Sequence, residues 1–222
     1  MSHVTRPRSA RGEGDRLRDE LIVAALRLLS AAGNPEDVSI RAVAKAAGVS
    51  PTATYRHFAD RDALLEAACS HCFELFAELL SDASAGATDP FERLQLAGRA
   101  YMEYARHDEG LYRVLFSNPL HMDKDFTDPN FDGDEFVNGS AGKNAFVVLV
   151  DMVQECLNAG APVSTAHGPA DATYLAFQVW TWMHGMVDLR ITHPGLPWPD
   201  AQRMLDDVTT TLGLVPPPAR LL

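Results

Sequence analysis

Apolar residues recur every three to four positions along almost the whole chain, and this spacing is the feature that most restricts its fold. The period matches an α-helix, and no convincing run shows the strict alternation of a half-buried β-strand. One such stripe in the N-terminal part consists of Leu21, Ile22, Ala25, Leu26 and Leu29. Hydrophobic residues make up 46% of the 222 positions, which is enough to bury a sizeable core. The pattern therefore predicts an all-α fold.

Helix caps and helix breakers divide this pattern into separate elements. Ser39 and Ser50 are predicted N-caps, and Pro51 occupies a first helical position where its missing N–H is not needed. The predicted helices cover residues 15–32, 40–47, 51–58, 60–80, 90–106, 108–116, 139–159, 170–192 and 199–212. The intervening stretches rich in small, polar or proline residues are predicted connections, at 81–89, 117–138 and 160–169.

The charge of the chain is distributed unevenly. The formal net charge is -11, which by itself argues against a nucleic-acid partner. Residues 1–66, however, contain ten basic and nine acidic side chains, and the first eleven residues contain Arg6, Arg8 and Arg11 without any acid. The acidic excess therefore lies in the remainder of the chain, and only the N-terminal part is suited to lie against a phosphate backbone.

The sequence indicates an intracellular setting. It contains no recognisable secretory signal, and its apolar runs are too short to span a membrane. The three cysteines, Cys69, Cys72 and Cys156, are an odd number, which favours reduced thiols. We therefore expect a cytoplasmic protein with no membrane partner.

Residues 38–65 contain two short predicted helices joined by a turn at Gly48, with a third helix following. This is the layout of a helix-turn-helix, in which the N-terminal half of the second short helix enters the major groove of DNA. The predicted outward-facing residues of that helix are Pro51, Thr52, Ala53, Tyr55, Arg56 and His57. Similar helix pairs occur in many bundles, where Tyr and His beside Phe58 would only be packing. Spacing alone therefore leaves both interpretations open.

The predicted DNA contacts follow from side-chain chemistry. Thr52 can hydrogen-bond a base edge, and the methyl group of Ala53 can touch a thymine methyl. Residues that suit the phosphate backbone, by hydrogen bonding or by charge, are Ser39, Arg41, Lys45, Tyr55, Arg56 and His57. The arginines of the N-terminal arm could reach an adjacent minor groove.

Several sequence blocks in this region resemble the DNA-binding domain of the TetR family of transcriptional regulators. After a Leu-rich first helix, the matching blocks are Ser39-Ile40-Arg41-Ala42-Val43-Ala44, Ala47-Gly48-Val49-Ser50, Tyr55-Arg56-His57-Phe58 and Arg61-Asp62-Ala63-Leu64-Leu65. The chain differs at Thr52, Ala53 and Thr54, where the family often has Gly, Thr and Leu, so the operator sequence cannot be carried over. Arg61 stands where the family usually has Lys, and the resemblance implies a phosphate contact there.

The resemblance also implies a domain organisation. Residues 1–13 would be a basic arm, 14–60 a three-helix DNA-binding domain, 61–214 a larger helical domain for effector binding and dimerisation, and 215–222 a Pro-rich tail. Within the larger domain, Trp182-Met183-His184-Gly185 is similar to the Trp-His-Gly motif of one TetR subgroup, with Met183 inserted.

The function implied is that of a ligand-responsive repressor that binds a palindromic operator in double-stranded DNA as a homodimer. Helices near 170–192 and 199–212 would form the dimer interface, with apolar anchors at Trp180, Trp182, Met186, Leu189 and Leu205. A small apolar effector would bind in a cavity of the helical domain and release the DNA. The expected lining residues are Tyr101, Tyr104, Phe116, Met152, Phe177, Trp180 and His184.

Other features favour structural interpretations. His184, one helical turn from Asp188, is either a ligand or interface histidine held by the carboxylate or, as we prefer, a satisfied core histidine. Cys69 and Cys72 share a helix face without a second ligand pair, so buried core cysteines are favoured over a metal site. We identify no catalytic constellation and expect neither an enzyme nor a cofactor. The alternative is a helical small-molecule-binding protein or enzyme without DNA-binding activity.

Overall fold

The computed structural model describes residues 13–116, 142–163 and 168–218, and all of their regular secondary structure is helical. This confirms the predicted all-α class. The predicted arm that carries Arg6, Arg8 and Arg11, and the predicted loop at 117–138, lie outside the described residues. Within the described part of the chain, no helix has the length and apolar character needed to cross a membrane.

The first three α-helices form a small N-terminal unit, the head. Their bounds are Glu13–Ala32 for α1, Ile40–Ala46 for α2 and Pro51–Thr54 for α3, and a single 3-10 turn at Pro35–Asp37 precedes α2. Leu21, Ala25 and Leu29 of the predicted stripe on α1 are fully buried. The helical repeat of apolar residues thus places α1 against α2, and the three-helix arrangement is as predicted.

The helices that follow form the larger unit, the body. Their bounds are Arg61–Ser84 for α4, Pro90–His107 for α5, Glu109–Phe116 for α6, Gly142–Asn158 for α7, Ala172–Thr192 for α8 and Ala201–Thr211 for α9. α4 packs against α1 of the head and against α5 and α7 of the body. It is therefore the long element that connects the two units.

Two helix ends that differ from the prediction carry a side-chain hydrogen bond. α4 continues four residues beyond Leu80, and in its last turn the buried hydroxyl of Ser84 donates to the carbonyls of Leu80 and Ser81. α9 starts at Ala201 because the carboxylate of Asp200 caps it, accepting from the backbone N–H of Arg203 at 2.9 Å.

One hydrophobic core runs through both units, from Leu21 in α1 to Leu214 after α9. α4 supplies Leu64 and Leu65, each fully buried, at the level of the head, and Phe76 further along in the body. The predicted domain division at 60/61 coincides with Asp60, the N-cap of α4, and stays a prediction.

The predicted dimer anchors divide into two groups in this structure. Met186 is 5% exposed and Leu205 is 1% exposed, so both are buried within the protomer and are not available to a partner. Leu205 fills the space above Gly98 of α5, where a Cβ would lie 2.7 Å from its Cδ2 atom. Trp182 and Leu189, by contrast, remain exposed on α8.

Candidate DNA-binding surface and polar cluster of the body

Two serine caps and one glycine shape the helix-turn-helix. The Oγ atoms of Ser39 and Ser50 accept hydrogen bonds from the backbone N–H groups of Ala42 and Ala53, each at 3.2 Å. Between the helices, Gly48 has a φ of +70°, a left-handed conformation that L side chains rarely adopt. Ser39 therefore marks the start of α2, Gly48 the turn after its end, and Ser50 the start of α3.

The exposed face of α3 and the turn after it consists of Pro51, Thr52, Tyr55 and Arg56. Ala53 and His57 are half-buried at its edge. The opposite side is held in the core by Thr54, which is fully buried, and by Phe58, which is 5% exposed. The predicted base-reading side chains therefore share one surface.

Tyr55 is 55% exposed although it is a large aromatic residue. Arg56, like Arg41 at the start of α2, is exposed and forms no ion pair with any described residue. Ser39 is exposed beside them, although its oxygen already caps α2. This surface therefore presents the Tyr55 hydroxyl and the Arg41 and Arg56 guanidinium groups, which have no hydrogen-bond or ion-pair partner among the described residues.

Arg61 contacts the protein backbone in this structure. Its Nε atom donates to the carbonyl of Val38 at 2.7 Å, one terminal nitrogen donates to the carbonyl of Pro35, and the other pairs with Asp62 at 2.8 Å. Its side chain is 28% exposed. Arg61 therefore ties the N-terminus of α4 to the segment before α2, a role that its resemblance to a phosphate-binding position did not indicate.

The body contains a cluster of aromatic rings built from α4, α5, α6 and α8. Among the predicted lining residues, Tyr101, Tyr104 and Phe116 surround Phe76, with ring centroids 4.9 to 5.9 Å from it. Trp180 and His184 lie one helical turn apart on α8, with ring centroids 5.8 Å apart. The structure thus brings together five of the seven predicted residues.

The other two predicted lining residues lie elsewhere on the cluster margin. Phe177 contacts Phe146 of α7 with the two rings tilted and their centroids 4.6 Å apart, and the ring centroids of Phe146 and Trp180 are 5.9 Å apart. Met152 is 3% exposed and forms part of the common core.

Three polar groups meet inside this aromatic cluster, and we refer to Tyr101, Tyr112 and His184 as the polar triad. The Tyr112 hydroxyl lies 2.7 Å from Nδ1 of His184, and the Tyr101 hydroxyl lies 3.2 Å from the same nitrogen. The two hydroxyls are 3.4 Å apart. His184 is thus held by tyrosines of α5 and α6. The alternative in which the Asp188 carboxylate holds the His184 side chain is not observed.

Burial sets the protonation of the polar triad. It raises the pKa of Tyr101 well above the ordinary value and raises the pKa of Tyr112 to about 12, so both phenols keep their protons. It lowers the pKa of the His184 imidazole, an effect that the nearby Asp188 carboxylate partly opposes. The triad is therefore neutral near pH 7.

Tyr112 was absent from the predicted lining. It lies four residues before Phe116 on α6, so both share one helix face, and Phe116 was already among the predicted residues. This spacing could have indicated that Tyr112 lies beside Phe116 in the aromatic cluster. The Trp-His-Gly resemblance is similarly refined, because the indole ring that contacts His184 belongs to Trp180 and not to the exposed Trp182.

The cysteines occupy the core interior. All three are buried and none forms a disulfide bond, and Cys72 lies 3.4 Å from the Tyr104 hydroxyl. Desolvation raises the pKa of the Cys72 thiol, which keeps it protonated. No group of three or more potential metal ligands is found among the described residues.

Two family models match the chain. "Bacterial regulatory proteins, tetR family" covers residues 21–68, and "Tetracyclin repressor-like, C-terminal domain" covers residues 94–212. The chain belongs to the TetR family. It is a DNA-binding transcription regulator, and the match includes both the head and most of the body of this TetR-family protein.

Solved structures share its fold at low sequence identity. A protein of unknown function from Rhodococcus sp. RHA1 is 23% identical, with 96% of this chain and 97% of that chain covered and a TM-score of 0.65. The fatty acid degradation regulator FadR from Bacillus halodurans is 17% identical, with 93% and 96% covered and a TM-score of 0.64. A putative transcriptional regulator from Pseudomonas aeruginosa PAO1 is 19% identical, with 91% and 93% covered and a TM-score of 0.67. No curated protein shows significant similarity to the chain.

Proposed function

We propose that this TetR-family protein is a ligand-responsive repressor. It binds a palindromic operator as a homodimer in the cytoplasm, and a small, largely apolar effector releases it. The observation that carries the DNA-binding part is the outer face of α3, where Thr52, Tyr55 and Arg56 are exposed while Thr54 and Phe58 anchor the opposite side. A gel shift with DNA flanking the gene of this protein tests the proposal, and failure to retard any such fragment would contradict it.

In this proposal, the residues divide by the part of DNA that they contact. Thr52 reads a base edge, Pro51 lets the helix approach the bases closely, and the methyl group of Ala53 touches a thymine methyl. The residues assigned to the phosphate backbone are Ser39, Arg41, Tyr55, Arg56 and His57. Arg61 acts indirectly, because its bonds to the carbonyls of Val38 and Pro35 hold α4 against the head.

Replacing Thr52 by alanine is expected to relax discrimination at one base step of each half-site by about 1–3 kcal/mol. The hydroxyl is lost from an exposed position, so the fold is unaffected. Selection from a randomised DNA pool measures the base preference at each position of the half-site. Thr52→Ser, which keeps the hydroxyl, is the control. An unchanged profile for Thr52→Ala would remove Thr52 from the base-reading set.

One face of α8 fits the proposed dimer interface. Tyr174, Trp182 and Leu189 are 50%, 42% and 48% exposed and recur at helical spacing. Gly185 lies on the same side, and a Cβ there would meet no atom within 4 Å. The protomer therefore offers an apolar strip with a shallow point at Gly185, where a partner helix could approach closely. Two recognition helices would then reach successive half-sites.

Replacing Leu189 by glutamate is expected to shift the protein from dimer to monomer at micromolar concentration, because the strip would bury an unpaired charge. Light scattering measures the mass. Leu75 on α4 is 47% exposed, so Leu75→Glu is a matched control expected to stay dimeric. If both variants keep the wild-type mass, or if the wild type is itself a monomer, this interface is wrong.

The proposed release mechanism uses two connections between body and head. α4 runs continuously from one to the other, and α6 touches the end of α1. At the second connection, the hydroxyl of Ser30 donates to the carboxylate of Asp108 at 2.9 Å. An effector that binds one arrangement of these helices more tightly than the other changes the separation of the two heads. Operator DNA then weakens the effector by the same factor.

A further inference from the structure

The polar triad is a hydrogen-bonded set of three polar groups within the aromatic cluster of α4, α5, α6 and α8. Around it, Trp180 and Phe116 are half-buried, as is His184 itself. Their ring centroids lie 5.8 and 5.2 Å from the imidazole. His184 therefore retains some accessible surface beside these aromatic rings.

The hydrogen bonds of the triad indicate which nitrogen of His184 carries the proton. If Nδ1 accepts, Tyr112 donates to it at 2.7 Å and Tyr101 can donate to the Tyr112 oxygen at 3.4 Å, so both phenol protons have acceptors. The short 2.7 Å contact favours this arrangement, because a phenol O–H is a much stronger acid than a neutral imidazole N–H and the imidazole nitrogen is the stronger base. The neutral imidazole is therefore protonated on Nε2.

The proton on Nε2 remains available. Among the described residues, Nε2 of His184 has no hydrogen-bond partner, whereas Nδ1 has two. A donor in an apolar setting is normally paired with an acceptor. No described Arg or Lys side chain bonds to a member of the triad, so the described residues hold no cation in place there to pair with an anion. The acidic balance of the chain also disfavours an anion.

We propose that the polar triad is the recognition point of the effector site and selects an uncharged, aromatic molecule with one hydrogen-bond acceptor, such as a ketone oxygen. The Nε2–H of His184 donates to that acceptor, Tyr112 and Tyr101 hold the imidazole in the required tautomer, and Trp180 and Phe116 contact the apolar part. This assignment rests on the proposed function and adds the chemical class of its effector.

Three probes of nearly equal shape test this inference with the full chain. They are 2-acetylnaphthalene, which carries an uncharged acceptor, 2-ethylnaphthalene, which carries none, and 2-naphthoate, which carries a carboxylate. Calorimetry is expected to show that the ketone binds about five- to tenfold more tightly than the hydrocarbon, the worth of one hydrogen bond. Naphthoate is expected to bind more weakly than the ketone. Equal binding of ketone and hydrocarbon, tightest binding of naphthoate, or no binding of the ketone would overturn the assignment.

Two variants separate recognition from folding. His184→Phe keeps an aromatic ring without the donor, and it is expected to bind ketone and hydrocarbon equally. Tyr112→Phe removes the hydroxyl that fixes Nδ1 and is expected to reduce the ketone preference only in part. If the preference survives in His184→Phe, the inference is wrong.

A measurement on the wild-type protein covers the case in which His184→Phe does not fold. The 15N chemical shifts of the His184 imidazole are expected to show the Nε2–H tautomer, and an Nδ1–H tautomer would contradict the proposal. The gel shift without effector tests DNA binding separately. Failure of the proposed effector class would therefore leave DNA binding intact, and failure of the gel shift would leave the calorimetric result on the ligand intact.

Discussion

Replacing Tyr55 by alanine is expected to lower operator affinity by roughly 30- to 150-fold, which corresponds to about 1–1.5 kcal/mol for one lost hydrogen bond in each of two half-sites. The loss should be similar for every DNA sequence, because a phosphate contact carries no base identity. The side chain is 55% exposed in the protomer, so the melting temperature should change little. Gel shifts against specific and scrambled fragments measure the effect.

Tyr55→Phe is the matched control for this result. It keeps the ring and removes only the hydroxyl, so it should lose nearly as much affinity if the phosphate hydrogen bond dominates. Wild-type affinity in Tyr55→Ala would exclude this side chain from the interface. A loss restricted to the operator sequence would instead make Tyr55 a base-reading residue.

Replacing Gly110 by alanine is expected to destabilise the protein by about 3 kcal/mol, a decrease of roughly 6–12 °C in melting temperature for a chain of this size. Gly110 lies in the first turn of α6, where a Cβ would overlap the carbonyl oxygen of Ser30 and lie 2.8 Å from the carbonyl carbon. The obstacle is backbone at the end of α1, so it cannot rotate away as a flexible side chain could.

Gly86→Ala is the control for the glycine change itself. Gly86 has no positive φ, and an added Cβ would meet nothing within 4 Å. That variant should be neutral or slightly stabilising, since alanine restricts the unfolded chain. Thermal unfolding compares the melting temperatures of the two variants. An unchanged melting temperature for Gly110→Ala would show that α6 and α1 do not approach this closely.

The fold was largely predictable because its determinants are local. The serine caps Ser39 and Ser50 and the turn at Gly48 act within a few residues of their own position, so their pattern can be read directly. The same holds for the exposed face of α3. Helix ends that depend on a particular side-chain bond, such as that of Ser84 with Leu80, were placed less accurately.

The long-range contacts could not be derived from spacing. The polar triad joins residues that are 72 and 83 positions apart. The spacing of Tyr112 and Phe116 puts both on one face of α6, but it does not show that this face meets His184. Arg61 has the sequence context of a phosphate ligand, yet its partners lie 23 and 26 positions earlier. Leu205 has the pattern of an interface residue but packs on Gly98 of the same protomer.

The shared core has a consequence for unfolding and for engineering. Because α4 contributes buried leucines to the head and Phe76 to the body, neither unit can lose its structure without exposing apolar surface in the other. Heat should therefore melt the chain in a single cooperative step. DNA specificity should therefore be exchanged by replacing exposed residues of the head, such as Thr52 and Arg56, and not by joining two chains at either end of α4.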